Sequence, residues 1–423
     1  MSYSVLKFSI GLFLLVALAF LLLLFFGSWH QPELSIRHMP TVAVSLVPKG
    51  SYTHYQKATE VTILKHHWMI KDGKNKALAK ELTPFTLKPA ANCPRGTGKP
   101  YKRGILLTHG LTDSVYTLKP IADFFQSQCF YVQTILLPGM STRPGDLLSI
   151  KWQDWVQAEQ YGTDQLLKNV EEPYLLGYSI GASLALLQAT VQPIFKGIFL
   201  MAPAISIDPA AAYANWSPVL AWYDPRFSWL DIGLDDDPYK YSSFPFNAAY
   251  QTSLLLGELH KQSTIGLQQI PLFMALSDDD KTVDQDASLD YFVRMGNSKN
   301  RGVLYTRAKR QLPDQILQVP SSLPDKKILS LGHLGLILPP NHPKYGEKGS
   351  YASCAHYYPS HVDAYTQCKD FKEDYLGETT QENLAKGVIR RITYNPFYDD
   401  LLKQMQLFLE STYEKPIPPE PLH

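Results

Sequence analysis

Tyr174-Leu175-Leu176-Gly177-Tyr178-Ser179-Ile180-Gly181-Ala182-Ser183-Leu184-Ala185 is the stretch on which the fold turns. An apolar run rich in strand formers stops at Gly177. Good helix formers continue from Ala182 to Thr190. Between them stands one serine, with glycine two residues away on each side. The pattern predicts a strand, a tight turn and a helix, with Ser179 at the apex. Such a turn needs small neighbours, because a side chain at 177 or 181 would collide with adjoining backbone. It would hold the Ser179 Oγ clear of the sheet and aim the next helix N-terminus at the same spot. A serine placed so is available for attack on a carbonyl carbon.

Working outward, the same strand and helix rhythm recurs. Gly104 to Thr108 is a continuous apolar run, as in a strand buried on both faces. Val115 to Gln128 has helical spacing, and Tyr131 to Leu137 reads as a strand ended by Pro138-Gly139. Lys151 to Asn169 reads as a helix with Trp152, Trp155, Val156 and Leu166 inward. Gly197 to Met201 is another strand. The rhythm breaks after Ala202 and returns at Pro271 to Leu276, Val303 to Thr306 and Lys327 to Leu331, the last strand expected in the core. This alternation predicts an α/β fold with a mostly parallel sheet and helices on both faces. Residues 101–203 and 271–338 form its two parts, and 204–270, rich in aromatic residues, form an inserted cap. Residues 28–100 form an N-terminal extension, in which Thr41 to Val47 alternates weakly and Glu60 to Lys65 and Trp68 to Lys71 read as short strands. Residues 339–423 form a C-terminal extension with an amphipathic helix over Leu401 to Leu409 and a proline-rich tail over Lys415 to His423.

Three further segments supply what a serine nucleophile needs. His109-Gly110-Leu111 directly follows a strand. Acyl transfer builds negative charge on an oxygen, and fixed backbone donors stabilise it. The amides of Leu111 and Ile180 are the expected pair, with His109 in a structural role. Leu276-Ser277-Asp278-Asp279-Asp280 places acids after a strand, where one can reach an imidazole and fix its tautomer. Ser330-Leu331-Gly332-His333-Leu334-Gly335 supplies the base. His260, His342, His356 and His361 compete, but His333 alone has glycine neighbours that leave room for a substrate.

The order Ser179, acid, His333 belongs to α/β-hydrolases. The chain resembles an α/β-hydrolase of the serine esterase/lipase type, near the monoacylglycerol-lipase and carboxylesterase branch. Leu137-Pro138-Gly139-Met140-Ser141-Thr142-Arg143-Pro144-Gly145-Asp146-Leu147 and Trp152-Gln153-Asp154-Trp155 share that resemblance, which covers roughly residues 101–338. Met140 departs from the histidine common there. The resemblance selects Asp280, through the Asp-x-x-Val turn it makes with Val283, with Asp278 as second choice. It implies ester hydrolysis through an acyl-enzyme, without a metal or organic cofactor. Thioesterase or serine peptidase chemistry would use the same residues, and a non-catalytic binding protein would have lost some of them. Trp216, Trp222, Trp229, Phe244 and Phe246 are candidates to line an apolar pocket for a lipid or other small ester.

The 423 residues carry a net charge of +1, and 19% of them are charged. No long basic run is present, so nucleic acid is not an expected partner. Phe8 to Phe26 are 19 consecutive uncharged residues. As a helix they would be about 28 Å long, close to a bilayer's hydrocarbon thickness. Residues 1–27 are therefore expected to anchor the protein in a membrane, with the catalytic part exported to a periplasmic or other extracytoplasmic compartment. Secretion after signal cleavage is the alternative. Four cysteines, Cys93, Cys129, Cys354 and Cys368, allow three pairings. Cys354 with Cys368 would close a short tyrosine-rich loop, leaving Cys93 for Cys129; four buried free thiols are the alternative.

Overall fold

The computed structural model describes residues 32–41, 48–262, 266–370 and 375–413. Among the described residues twelve strands follow in chain order: β1 (Thr86–Leu87), β2 (Tyr101–Thr108), β3 (Phe130–Ile135), β4 (Val170–Tyr178), β5 (Gly197–Met201), β6 (Trp229–Asp231), β7 (Phe244–Pro245), β8 (Leu272–Ser277), β9 (Arg301–Thr306), β10 (Ile316–Pro320), β11 (Tyr375–Gly377) and β12 (Ile389–Arg391). Eight of them make the central sheet in the order β1-β3-β2-β4-β5-β8-β9-β10. β1 is antiparallel to β3, and the remaining neighbours are parallel.

Both faces of this sheet are covered, which is why its strands carry no polar alternation. Along β5, Ile198 and Leu200 enter one apolar cluster while Phe199 and Met201 enter the other. Along β8, Leu272, Met274 and Leu276 face the first cluster, and Phe273 and Ala275 the second. The first face is closed by the helices Trp152–Leu167 and Ile180–Val191, through Trp155, Leu166, Leu184 and Ala185. The second is closed by Lys119–Ser127 and by the C-terminal helix Tyr398–Thr412. Leu401, Met405, Phe408 and Leu409 fall on one stripe of that last helix and are fully buried.

The N-terminal extension differs from expectation. Residues 60–65 lie inside the helix Tyr52–His66 and are not a strand. Tyr55, Thr59 and Ile63 are its buried residues, spaced four apart, and Ser51 caps it by accepting from the His54 amide at 3.3 Å. Residues 68–71 form no strand either. Instead Thr86–Leu87 adds the antiparallel edge to the sheet. Most of the weak alternation read over 41–47 lies outside the described residues, as does the tail after 413.

Lys327 to Leu331 is not a core strand. Lys327 takes a left-handed φ of 54°, and Ile328 makes only isolated bridges to Leu323 and Leu376. Ile328 and Leu331 are buried in the second cluster all the same. The apolar run thus records burial of a loop. The sheet's edge is β10, paired with β9 from Ile316↔Gly302 to Pro320↔Thr306.

The mostly parallel sheet with flanking helices and inserted segments fits the expected α/β-hydrolase architecture. The membrane anchor does not stand. Among the described residues no helix is long and apolar enough to cross a membrane, and residues 8–26 lie outside the described residues. The membrane as partner and the membrane-anchored, exported placement built on that segment are withdrawn with it.

Two disulfides are present, Cys93–Cys129 and Cys354–Cys368. The second encloses a small cluster with Ala352 and Tyr357 in the C-terminal extension, beside the pair β11–β12.

Candidate active site

Ser179 follows the last residue of β4 and precedes the first residue of the helix Ile180–Val191. Its φ is 56° and ψ −119°, a conformation that non-glycine residues seldom adopt. Backbone holds it there: the Ser179 amide donates to the Met201 carbonyl at 2.9 Å, and its carbonyl accepts from the Ala204 amide at 3.2 Å. The flanking glycines are required by space. A Cβ at Gly177 would stand 2.2 Å from the Ala182 nitrogen, and one at Gly181 would stand 2.3 Å from the Thr108 oxygen. Strand and helix can approach this closely only without those side chains.

His333 and Asp280 meet although 53 residues separate them. The imidazole Nδ1 lies 2.7 Å from the Asp280 Oδ2. With Nδ1–H donating to a carboxylate, Nε2 keeps its lone pair. The other carboxylate oxygen, Oδ1, accepts from the amides of Thr282 at 2.7 Å and Val283 at 3.3 Å. Burial pushes the Asp280 carboxyl up, but His333, the Thr282 amide and Arg391 outweigh it and hold the group below its ordinary value. It is therefore ionised at neutral pH. Asp278 pairs instead with Arg310 at 2.7 Å, and Asp279 with Arg307 at 2.8 Å.

A cavity of about 640 Å³ joins these elements, with Ser179, His333, Leu111 and Ile180 all on its wall. Gly110 lets the chain after β2 pass Ser179, since a Cβ there would lie 3.2 Å from the serine Cβ. His109 does not face this chemistry. Its Nε2 accepts from the Leu137 amide at 3.0 Å, so Nδ1 carries the proton and donates to the Gly110 carbonyl at 2.8 Å. It ties the β2 and β3 loops together. Of the competing histidines, His342 accepts two backbone amides through Nδ1 and His260 is exposed. His361 is exposed at the start of the helix Val362–Lys369. His356 lines the same cavity, away from any described carboxylate hydrogen bond.

The aromatic candidates divide. Phe244 and Phe246 line the cavity, joined by Leu230. Trp229 is buried against His38, ring centroids 5.0 Å apart, and Trp222 is 90% exposed. The side chain of Trp216 lies outside the described residues. Sequence reasoning missed the contribution of the C-terminal extension, which brings Tyr345, Tyr351, His356 and Arg391 to the wall. Their segments carry no periodic pattern that would tie them to the sheet.

A second Ser/His/Asp group, Ser243–His38–Asp235, is also present. His38 Nε2 lies 3.1 Å from the Ser243 Oγ, and that hydroxyl donates to Asp235 Oδ2 at 2.6 Å. His38 Nδ1 accepts from the Ser35 amide at 2.9 Å, so the neutral ring carries its proton on Nε2 and donates towards the serine. Burial lowers the pKa of this ring to about 4, aided by the neighbouring Arg37. A base must offer the serine a lone pair, and this ring offers a proton. All three residues are buried, and none lines the cavity. The group fastens the segment around Ser35 to the cap.

Comparison with known proteins follows the same lines. Residues 105–334, more than half of the chain, match the model of the alpha/beta hydrolase family, and the chain belongs to that family. It is a serine hydrolase. A thermostable monoacylglycerol lipase of Bacillus sp. (strain H-257) is 28% identical over 184 residues, covering 43% of this chain and 71% of that protein. Two solved structures are more distant. One is of the metagenome-derived lipolytic enzymes LipS and LipT, with 18% identity, 60% of this chain and 89% of that one covered, and a TM-score of 0.44. The other is the monoacylglycerol lipase of Paleococcus ferrophilus, with 14% identity, 69% and 99% covered, and a TM-score of 0.42.

Proposed function

We propose that the chain hydrolyses carboxylic esters through an acyl-enzyme on Ser179, with His333 as general acid and base and Asp280 orienting it. The observation that carries this reading is the 2.7 Å contact of Asp280 with His333, which lines the same cavity as the strained Ser179. In the first half-reaction Nε2 of His333 takes the Oγ proton as Oγ attacks the carbonyl carbon. The amides of Leu111 and Ile180 hold the oxygen that becomes negative, each worth about 3–4 kcal/mol in the barrier. Collapse breaks the ester C–O bond, and His333 returns the proton to the leaving alcohol. Water then repeats the sequence on the acyl-enzyme. Asp280 stays ionised throughout and stabilises the imidazolium.

An apolar acyl group and a polar alcohol suit this cavity. Leu111, Ile207, Leu230, Phe244, Phe246 and Ile337 are among its apolar lining residues, and Asp113, Asp237, Lys240 and Tyr345 among its polar ones. Likeness to a monoacylglycerol lipase supports the same class, a lipid monoester. Ser179→Ala is expected to abolish turnover of p-nitrophenyl butyrate and labelling by a fluorophosphonate, with the fold retained. Turnover at the wild-type rate in that variant would reject the assignment. Rates on C4 and C12 acyl esters, and on the matching thioesters, test the bond and the chain. Strict preference for C4, or for the thioester, would exclude a lipid-ester hydrolase.

A further inference from the structure

We propose that the C-terminal extension supplies two positioning residues to this site, the ion pair Glu378–Arg391, which ties the loop of His333 to the loop of Asp280. The inference rests on the reading of His333 and Asp280 given above.

Glu378 follows β11 and is fully buried. Its carboxylate sits against the chain just before the imidazole: a Cβ on Gly332 would stand 2.0 Å from Glu378 Oε2, and the His333 amide donates to that oxygen at 3.3 Å. The Glu378 amide donates to Ser330 Oγ at 2.9 Å, which also accepts from Asn383. The loop 330–333 is thus gripped at three points from one side. Arg391, the last residue of β12, pairs with the same carboxylate: Nη2 donates to Oε2 at 2.9 Å, and Nε lies 2.7 Å from Oε1 as an ion-pair contact without hydrogen-bond geometry. Its Nη2 also donates to Thr282 Oγ1 at 3.1 Å. Thr282 is the residue whose amide binds Asp280 Oδ1. One planar guanidinium therefore spans the two loops whose separation sets the His333–Asp280 hydrogen bond. Nη2 makes both hydrogen bonds, to Glu378 Oε2 and to Thr282 Oγ1, so the charge-assisted pair and the loop contact share one nitrogen. Arg391 is itself held, since its amide donates to the Ser353 carbonyl at 3.0 Å, next to the disulfide at Cys354.

The charges around the imidazole are few. Asp280 lies on one side, Glu378 and Arg391 on another, and the Tyr178 ring stacks obliquely at 5.1 Å. Asp113 lies beyond Tyr178 and acts on its phenol. Removing either member of the ion pair leaves the other charge uncompensated beside this group, with opposite signs. That difference separates positioning from bulk support.

The test measures kcat, KM and the acid limb of the kcat/KM–pH profile on p-nitrophenyl butyrate, with fluorophosphonate labelling rate as a second readout. Four full-length variants are compared with the wild type after circular dichroism confirms folding: Glu378→Gln, Arg391→Gln, the double variant and Thr282→Val. Arg391→Gln leaves a bare carboxylate near His333 and is expected to move the acid limb to higher pH. Glu378→Gln leaves a bare guanidinium and is expected to move it to lower pH. The double variant removes both charges together and is expected to keep the limb in place while kcat drops roughly 10- to 100-fold, as misplacement of a catalytic group does. Thr282→Val deletes only the Oγ1 contact and is expected to lower kcat with KM little changed. Should a single variant leave a buried charge that prevents folding, the double variant and Thr282→Val decide the matter. Folded variants with wild-type kcat and an unmoved acid limb would overturn the inference. Ser179→Ala runs in parallel: turnover surviving there defeats the underlying assignment, whereas a dead Ser179→Ala with unaffected ion-pair variants defeats only this one.

Discussion

At the scale of single residues, the turn at Ser179 is the most constrained point of the chain. Gly177→Ala and Gly181→Ala each place a methyl group within 2.3 Å of backbone that cannot retreat. Each is expected to destabilise the protein by roughly 1–3 kcal/mol and to cut the rate of fluorophosphonate labelling, which thermal unfolding and labelling kinetics would show. Ser179, its glycines, His333 and the oxyanion-side loop were legible because short-range spacing encodes them. Choosing among Asp278, Asp279 and Asp280 took the family resemblance, through the spacing to Val283; the structure adds that Asp278 pairs with Arg310 and Asp279 with Arg307. Glu159 was not legible at all. It is buried in the helix Trp152–Leu167, with Oε2 accepting from Thr108 at 2.6 Å and Oε1 lacking a partner among the described residues. Burial pushes its carboxyl up to about 7, against the Thr108 hydrogen bond. A raised carboxyl pKa means that the native state holds the proton more tightly than the unfolded chain. Stability should then fall as pH rises from about 4.5 to about 7, by a few kcal/mol in total. Glu159→Gln removes that dependence and is expected to raise stability at pH 8, read from urea unfolding across this pH range.

Among the elements, those with a clean period were read from sequence and those without were not. The strands β5 and β8 are apolar along most of their length, β2, β4 and β9 each contain an apolar run, and the helix Tyr398–Thr412 carries a stripe at 401, 405, 408 and 409. Phe408 closes the stripe, in ring contact with Phe199 at 5.0 Å and Phe273 at 5.8 Å. Phe408→Ala is expected to cost about 3–5 kcal/mol, measurable by chemical denaturation. The helix Tyr52–His66 escaped because β-branched residues at its C-terminal half imitate a strand, while the decisive spacing of Tyr55, Thr59 and Ile63 begins earlier. Lys327 to Leu331 misled for a different reason: burial makes loop and strand alike in composition, and only backbone pairing separates them.

At the scale of the whole molecule, the cavity is shared by four stretches far apart in sequence: the two parts of the core, the cap, and the extension after 338. The match to the family model ends at residue 334, so nothing in it announces that the extension closes the site. Removing the extension takes away the cover over Phe199 and Phe273 as well as Tyr345 and Arg391. Such a truncation is expected to lose both soluble expression and esterase activity. The Cys354–Cys368 bridge spans 14 residues and holds the part that bears Arg391. Replacing both cysteines by serine should lower stability by about 3 kcal/mol, and a drop in melting temperature without loss of the Cys93–Cys129 bridge would show it.

The contact between Arg391 and the loops near 282 and 333 also bears on when the molecule becomes competent during its own synthesis. A ribosome adding ~5–20 residues per second exposes Ser179, Asp280 and His333 seconds before Arg391 leaves the exit tunnel. A nascent hydrolase that lacks its last buttress would turn over at a small fraction of its final rate while still tethered to the translation machinery. Full activity would then arrive only after the later segment has docked.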